Sequence, residues 1–499
     1  MRTVIRSTAF LAGLILWGLV CCIPGEAGGW ISLTGVVHVH TSEFSSGAHT
    51  LDQLVKLARE RQVDVIVLSD HDRIAMSYGL PPFPHLFSFT RSRRSVLKEG
   101  IRKYLARVDA VDAAHPEIIL VPGLESAPFY YWTGALRSGE LVTHDWRKHI
   151  HVIGLTDPRV IDNLPILDNG FSTENVRALL PRFLVYLGLL LAGVVLISWK
   201  GIFRTAGKVL LIIGILGGLD AQPFRSSPFD PYHGDQGVAP YQRLIDYVRE
   251  HGGMTFWAHP EAHYGDREAV FRKEIAGISL PTVRMHTGPH PSDLVRTYGY
   301  TGFEALYGDT IHATDPGKEW DRTLLQYCAG KRKNPPWGIC GLDFHRQGQN
   351  SWSDFRRGQT IFLVKEKSRN AVLDAMRRGR MYAVYQGDSN RFRLDDFSIT
   401  TEDGLSWSYA GETVKSAGKP LKVHLSVYLE GKEKLFCEAD LIDSGRLVKT
   451  LSGRLPLDEE YEFIPLRVKG YIRVEIRAPK HRIISNPIFY KRTAPARPF

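Results

Sequence analysis

The sequence predicts an α/β fold, a barrel of parallel strands with an apolar insertion, followed by a smaller antiparallel β-domain. Three observations carry this expectation. Between residues 30 and 385, short apolar runs of strand length alternate with segments of helical periodicity. Metal-ligating residue types recur at the C-terminal ends of the expected strands, where side chains of a parallel barrel converge on one mouth. After about residue 385, apolar and polar residues alternate with period two between turn residues.

In chain order, Ile31–His40 reads as the first strand. Thr50–Gln62 reads as a helix with Leu51, Leu54, Val55 and Ala58 on one face. Val63–Ser69 is a buried-strand pattern, residues 93–114 read as one long amphipathic helix, and Ile118–Val121 and Ile150–Leu155 read as strands. Beyond an apolar region the alternation resumes: helix Tyr241–His251 with strand Met254–Ala258, helix Pro291–Gly299 with strand Gly302–Leu306, and helix Trp320–Ala329 with strand Trp337–Leu342. Strand Thr360–Val364 and helix Arg369–Arg378 close the series. Residues 386–490 then read as an antiparallel β-sandwich with strands at Leu421–Leu429, Leu435–Leu441 and Tyr471–Ile476 and an extended tail after Pro487.

A chain of 499 residues with 43% hydrophobic and 23% charged content is long enough for more than one core and too apolar for bulk disorder. The formal charge of +10 is spread thinly, with short basic runs at 91–94, 331–333 and 377–380. That pattern suits a solvated surface or anionic lipid, and no basic-aromatic stacking motif points to nucleic acid. Cys21 and Cys22 lie in an N-terminal apolar run, and Cys328, Cys340 and Cys437 show no metal spacing, so buried free thiols are expected.

Residues 1–27 read as an export signal or N-terminal anchor: Arg2 and Arg6 precede an apolar stretch at 8–23 and a Gly25-Glu26-Ala27 ending. A second apolar region spans 181–221. Residues 183–198 carry no charge, Lys200, Arg204 and Lys208 follow, and 209–219 are apolar again. This reads as a membrane hairpin inserted in the barrel, its basic turn cytoplasmic and both flanks on the periplasmic or extracytoplasmic side. The alternatives are a pair of buried core helices or an interfacial anchor.

The chemistry-bearing residues gather as follows. The first strand ends in His38-Val39-His40 and the second in Asp70-His71-Asp72. Glu125 follows the third, and the fourth carries His149 and His151. His259 ends the next, Gly302–Leu306 contributes Glu304, and the last ends in Asp343-Phe344-His345. Residues i and i+2 of a strand point the same way, so each His-x-His or Asp-x-His pair can grip one ion. Imidazole with carboxylate suits zinc, manganese or iron better than calcium or magnesium. Glu125 is the natural carboxylate to bridge two ions, and such a pair activates water. Each motif alone is commonplace, but the 19 histidines of the chain mark strand end after strand end.

HVHT at 38–41, LSDHD at 68–72, PGLE at 122–125, HVIGL at 151–155, WAHPE at 257–261 and GLDFH at 341–345 resemble the ordered motifs of the PHP (polymerase and histidinol phosphatase) superfamily. The resemblance covers roughly residues 33–385 outside the apolar insertion. The segment 377–387 and the β-domain after it are similar to the carbaryl-hydrolase-like branch. The resemblance implies a distorted (β/α)7 barrel, two or three divalent metal ions and hydrolysis of a small, phosphorylated substrate. It assigns His38, His40, His71, Glu125, His151, His259, Asp343 and His345 as metal ligands, with His149 a competing choice for the place of His151. Asp70 would orient His71, His149 or Asp72 would protonate a leaving group, and Arg346 would hold a phosphate. One departure is Ser46, which stands where many members carry a further Asp or His ligand; His49 is the nearby substitute. Hydrolysis of an ester, amide or carbamate, or a catalytically weak metal-binding envelope module, are the alternative functions.

Overall fold

The structure is a computed structural model that describes residues 29–492, except 136–139, 263, 270–273, 276–277, 280–281, 309–311, 351, 353, 389, 417, 432–434 and 466. The expected signal at 1–27, with Cys21 and Cys22, lies outside the described residues. The fold is mixed α/β around a large sheet.

The first half contains β1 (Ile31–Val39), α1 (Leu51–Arg61), β2 (Val65–Leu68), β3 (Asp70–His71), β4 (Ala75–Gly79), β5 (Ser88–Ser92), α2 (Ile101–Ala114), β6 (Ile119–Val121), β7 (Gly123–Ser126) and β8 (Ile150–Ile153). Two apolar helices follow, α3 (Val176–Ile197) and α4 (Ile202–Asp220). Then come α5 (Ala239–Glu250), β9 (Met254–Trp257), β10 (Gly302–Leu306), α6 (Glu319–Cys328), β11 (Trp337–Phe344), β12 (Gly358–Val364), α7 (Arg369–Arg378) and β13 (Met381–Tyr385). β1 pairs in parallel with β2, and β2 with β6. The continuation β3 pairs in parallel with β7. From β7 the pairing passes through β8, β9, β10 and β11 and returns to β1.

Local chemistry explains the first helix. Thr50 accepts from the Gln53 amide while the Gln53 side chain accepts from the Thr50 amide, a reciprocal cap. Leu51, Leu54, Val55 and Ala58 are buried, as their spacing predicts. The helix expected across 93–114 is broken: Val96–Glu99 and α2 are separated by Gly100 at φ 101, a conformation open to glycine. β8 departs from the expected parallel order, because it runs antiparallel to both β7 and β9.

Beyond β13 the strands are β14 (Arg391–Thr401), β15 (Leu421–Glu430), β16 (Phe436–Asp443), β17 (Arg446–Arg454), β18 (Leu457–Phe463), β19 (Lys469–Ala478), β20 (His481–Ser485) and β21 (Ile488–Arg492). The described part of the expected tail, Ile488–Arg492, is therefore a strand. β14, β15 and β18 pair antiparallel, and β16, β17, β19 and β20 form a second antiparallel set that joins the main sheet through β13. These strands enclose a hydrophobic cluster of their own, including Val423, Leu425, Val474 and Ile476. Cys328, Cys340 and Cys437 are free thiols.

A buried ion pair ties the two halves together. Arg473 on β19 donates to both carboxylate oxygens of Asp321 on α6, at 2.8 and 2.9 Å, and Tyr471 donates to the same carboxylate at 2.7 Å. Both charged side chains are fully buried. Asp321→Ala leaves a guanidinium without its counter-charge and is expected to cost about 3–5 kcal/mol, read from urea unfolding.

α3 and α4 form a hairpin whose packing is inverted relative to a water-soluble core. Its most apolar stretches are only 6% and 17% buried. The residues buried between the helices are mostly glycines: Gly193 on α3 and Gly207, Gly214 and Gly217 on α4. A Cβ on Gly207 would lie 2.6 Å from the Ile197 amide nitrogen, and one on Gly214 would lie 2.6 Å from the Leu190 Cα. Leu184, Val185, Leu191, Val194, Ile212 and Leu219 point outward at about half exposure. These helices are not core helices of this chain, which removes that alternative.

Candidate metal centre

β7 delivers Glu125 to the middle of the site. Its Oε1 lies 3.2 Å from His38 Nε2, 2.5 Å from His149 Nδ1 and 3.2 Å from His259 Nε2. Its Oε2 lies 3.4 Å from His40 Nε2 and 3.1 Å from His71 Nδ1. Asp343 faces it across the site, with Oδ1 at 3.3 Å from His38 Nε2, 3.4 Å from His40 Nε2 and 3.0 Å from His345 Nε2.

Three backbone irregularities aim these side chains. His38, His259 and Asp343 adopt positive φ values of 71°, 29° and 43°. Such residues carry about 1–3 kcal/mol of strain apiece and persist where the surroundings enforce them. The register of β1 shifts at His38 against both neighbours, so a bulge, not plain alternation, turns His38 and His40 toward the same carboxylates. The antiparallel course of β8 has a matching consequence. Its rim end is its beginning, so His149, just ahead of the strand, reaches Glu125, while His151 lies deeper.

That deeper layer is organised by Glu304 on β10. It accepts from the His259 amide at 2.7 Å, and its Oε1 sits 2.7 Å from His38 Nδ1 and 2.9 Å from His151 Nε2. Burial alone would raise its pKa, but His38 and His151 hold the carboxyl below the ordinary range. Gly341 makes the room, since a Cβ there would fall 2.0 Å from Glu304 Oε1. Gly341→Ala is therefore expected to displace Glu304 and weaken metal affinity about 10–100-fold, the usual effect of losing a carboxylate behind a histidine ligand. Chelator competition measures it, with thermal unfolding as the check on folding.

Three donor groups, each with ligand atoms within 4.8 Å of one another, fit a cation: His38, His40, Glu125 and Asp343; Glu125, His149 and His259; and His38, His151 and Glu304. His38 Nε2, His40 Nε2 and His149 Nδ1 make no hydrogen bond although each lies near a carboxylate oxygen. The electrostatics agree. Burial opposes a charged His38, yet Glu125, Glu304 and Asp343 raise its pKa well above the usual value, so the carboxylates demand positive charge here. Burial pushes His71 down to about 3, and burial with the neighbouring His345 lowers His40, leaving both imidazoles neutral and able to donate lone pairs. His71 and His345 border the first two groups through Glu125 and Asp343.

The remaining expected residues fall as follows. Asp70, raised by burial to about 7, accepts from the Thr41 amide at 2.7 Å and from the Thr41 hydroxyl at 2.9 Å, so it fixes the turn after His40. Asp72, also raised by burial to about 7, accepts from the Arg73 amide and leaves Oδ2 without a hydrogen bond. Ser46 sits 3.1 Å from His345 Nδ1 and so orients that ring, while His49 packs on Phe344. Arg346 is exposed and does not line the cavity over the site, which has a volume of about 510 Å³. Arg73, Arg93 and Arg147 line it instead. None of the three stands out in the sequence as a site residue, although Arg93 belongs to the basic run at 91–94, Arg147 lies two residues before His149 and Arg73 directly follows Asp72.

No family model matches the chain, and no curated protein matches it. Among solved structures, it is similar to a two-domain protein from Bacteroides vulgatus described as containing a predicted PHP-like metal-dependent phosphoesterase. That likeness has 12% identity, covers 90% of this chain and 91% of the other, and has a TM-score of 0.34.

Proposed function

We propose that this chain is a metal-dependent phosphoesterase of the PHP type, held at a membrane by α3 and α4 with its site on the extracytoplasmic side. The observation that carries the reading is the convergence of five imidazoles on the two oxygens of Glu125, opposite Asp343. The reading takes the closed circuit of strand pairings as the distorted barrel and the C-terminal strands as a β-sandwich. His38, His40 and Asp343 would hold one divalent ion, His149 and His259 a second, and Glu125 would bridge them. Zinc, manganese or iron, when bound, would supply Lewis acidity and activate water at neutral pH.

The chain's own residues supply the rest. Arg73, Arg93 and Arg147 give the cavity positive charge suited to a phosphate's oxygens. That lining favours a phosphoester over an uncharged ester, amide or carbamate. Glu304 keeps the His38 and His151 rings in fixed orientations. Trp146 and Trp352 add apolar surface to the lining of the cavity.

Metal analysis of the full-length protein purified in detergent, followed by assay on bis-p-nitrophenyl phosphate with manganese or zinc, tests the reading. Bound metal and metal-dependent turnover are expected. Metal-free protein that gains no metal and no turnover on supplementation rejects it.

A further inference from the structure

The ribbon formed by β4 and β5 leaves the metal site directly after Asp72 and Arg73 and runs to the base of the apolar hairpin. At its far end the His85 and Leu86 amides donate to Asp220, the last residue of α4, at 2.7 and 3.1 Å. Arg182 of α3 joins the same knot, 3.3 Å from Asp220 and 3.1 Å from Asp230. A second cavity of about 490 Å³ opens along this ribbon. Its lining is mixed: Ser88, Thr90, Asp168 and Arg225 are polar or charged, and Leu219, Phe171 and Phe224 are apolar. Those three apolar side chains are 56%, 72% and 40% exposed, and Phe87 and Phe89 on the ribbon are exposed beside the cavity-lining Ser88.

Arg73 belongs to the linings of both this cavity and the metal cavity, and its buried Nε has no hydrogen-bond partner. A guanidinium with a donor to spare thus belongs both to the metal cavity and to a second cavity whose apolar lining includes Leu219 of α4. A molecule that is anionic at one end and hydrocarbon at the other matches Arg73 at the first cavity and Leu219, Phe171 and Phe224 in the second. We propose that the substrate is a phosphate ester carrying a long hydrocarbon chain, with the phosphate at the metal site beside Arg73 and the first part of the chain in the second cavity. This rests on the phosphoesterase reading and names its substrate class. Hydrolysis adds water across one P–O bond, the water oxygen joining phosphorus and a proton going to the departing alkoxide. A hydrocarbon chain lying against Leu219 would continue along the outward face of α4 without crossing water, which removes most of the cost of drawing it from a bilayer.

The test uses full-length, metal-loaded protein in mixed micelles. Rates are compared for dibutyryl phosphatidylglycerol, dioleoyl phosphatidylglycerol and a long-chain isoprenyl phosphodiester, with release of the phosphorylated product measured. At least a ten-fold higher kcat/KM is expected for one of the two long-chain esters, and which one gains identifies the lipid source. Ser88→Trp, which fills the second cavity, should bring the long-to-short ratio back toward one. Equal efficiency for short and long chains, or a ratio unmoved by Ser88→Trp, overturns this inference and leaves the phosphoesterase standing. Metal-loaded protein that cleaves none of the three, nor bis-p-nitrophenyl phosphate, overturns both.

Discussion

Glu125→Gln is expected to lower metal-dependent turnover by on the order of a thousand-fold, with a parallel loss of bound metal. The amide keeps the shape of the side chain but removes its charge and replaces one acceptor oxygen with an NH2 donor. Five imidazole nitrogens lie between 2.5 and 3.4 Å from the two oxygens of this one carboxylate. Burial would raise the Glu125 pKa, but His149, His38 and His71 hold it well below the ordinary range. Both of the donor groups nearest the cavity depend on it. A metal acting as Lewis acid is worth several kcal/mol of transition-state stabilisation, which corresponds to the magnitude given. Elemental analysis and steady-state assay of the same preparation check it. Retention of full metal content and turnover with Gln at this position would show that the charge of Glu125 is not needed to hold the metal. In that case the bridging role falls, and the cluster has to be read around Asp343.

The contrast with Glu304→Gln sharpens the argument. Glu304 touches His38 through Nδ1, whereas Glu125 and Asp343 lie on the Nε2 side of the same ring. Its loss should loosen the metal about 10–100-fold and leave turnover substantial at saturating metal.

Much of this site was legible because its residue types are rare and its spacing regular. His38, His40, His71, Glu125, His259, Asp343 and His345 sit at strand ends that short apolar runs mark clearly. What stayed hidden depends on partners far along the chain. The direction of β8 is decided by its pairing with β7 and β9, and nothing within Ile150–Ile153 specifies it. That direction sends His149 to the rim and His151 inward. The bulge at His38 likewise belongs to the fit of β1 between β2 and β11. The ribbon of β4 and β5 and the strands Tyr131–Ala135, Glu140–His144 and Thr282–Thr287 were not foreseen either. The first of these carries Arg73 and Arg93 at its two ends. Arginines on loops leave no periodic trace, so the cations of the cavity become visible only once the chain is folded.

The apolar hairpin supports the second large effect. If α3 and α4 hold the protein at a membrane, as proposed, excising residues 183–219 and joining Arg182 to Asp220 through a short Gly-Ser linker is expected to leave a soluble protein that still binds metal. The side chains at the two ends of the cut meet, since Arg182 Nη2 lies 3.3 Å from Asp220 Oδ2 and both belong to the same knot of charges as Asp230 and His85. The energetics favour it as well. Fourteen large apolar side chains on the two helices, from Leu180 to Leu219, are at least 37% exposed. Transferring the exposed part of each into hydrocarbon is worth about 1 kcal/mol, or on the order of 10 kcal/mol together. Glycines at the α3–α4 contact let the backbones approach closely and leave the large side chains outside, the arrangement favoured where lipid replaces water. A water-soluble hairpin would reverse it. Ultracentrifugal fractionation of the two forms gives the answer. Full-length protein found in the supernatant without detergent would refute the membrane placement. Gly214→Leu offers the finer probe, since its side chain would strike Leu190: the hairpin should splay and detergent-solubilised protein lose thermal stability, while an equally large change at outward-facing Ile212 should be tolerated.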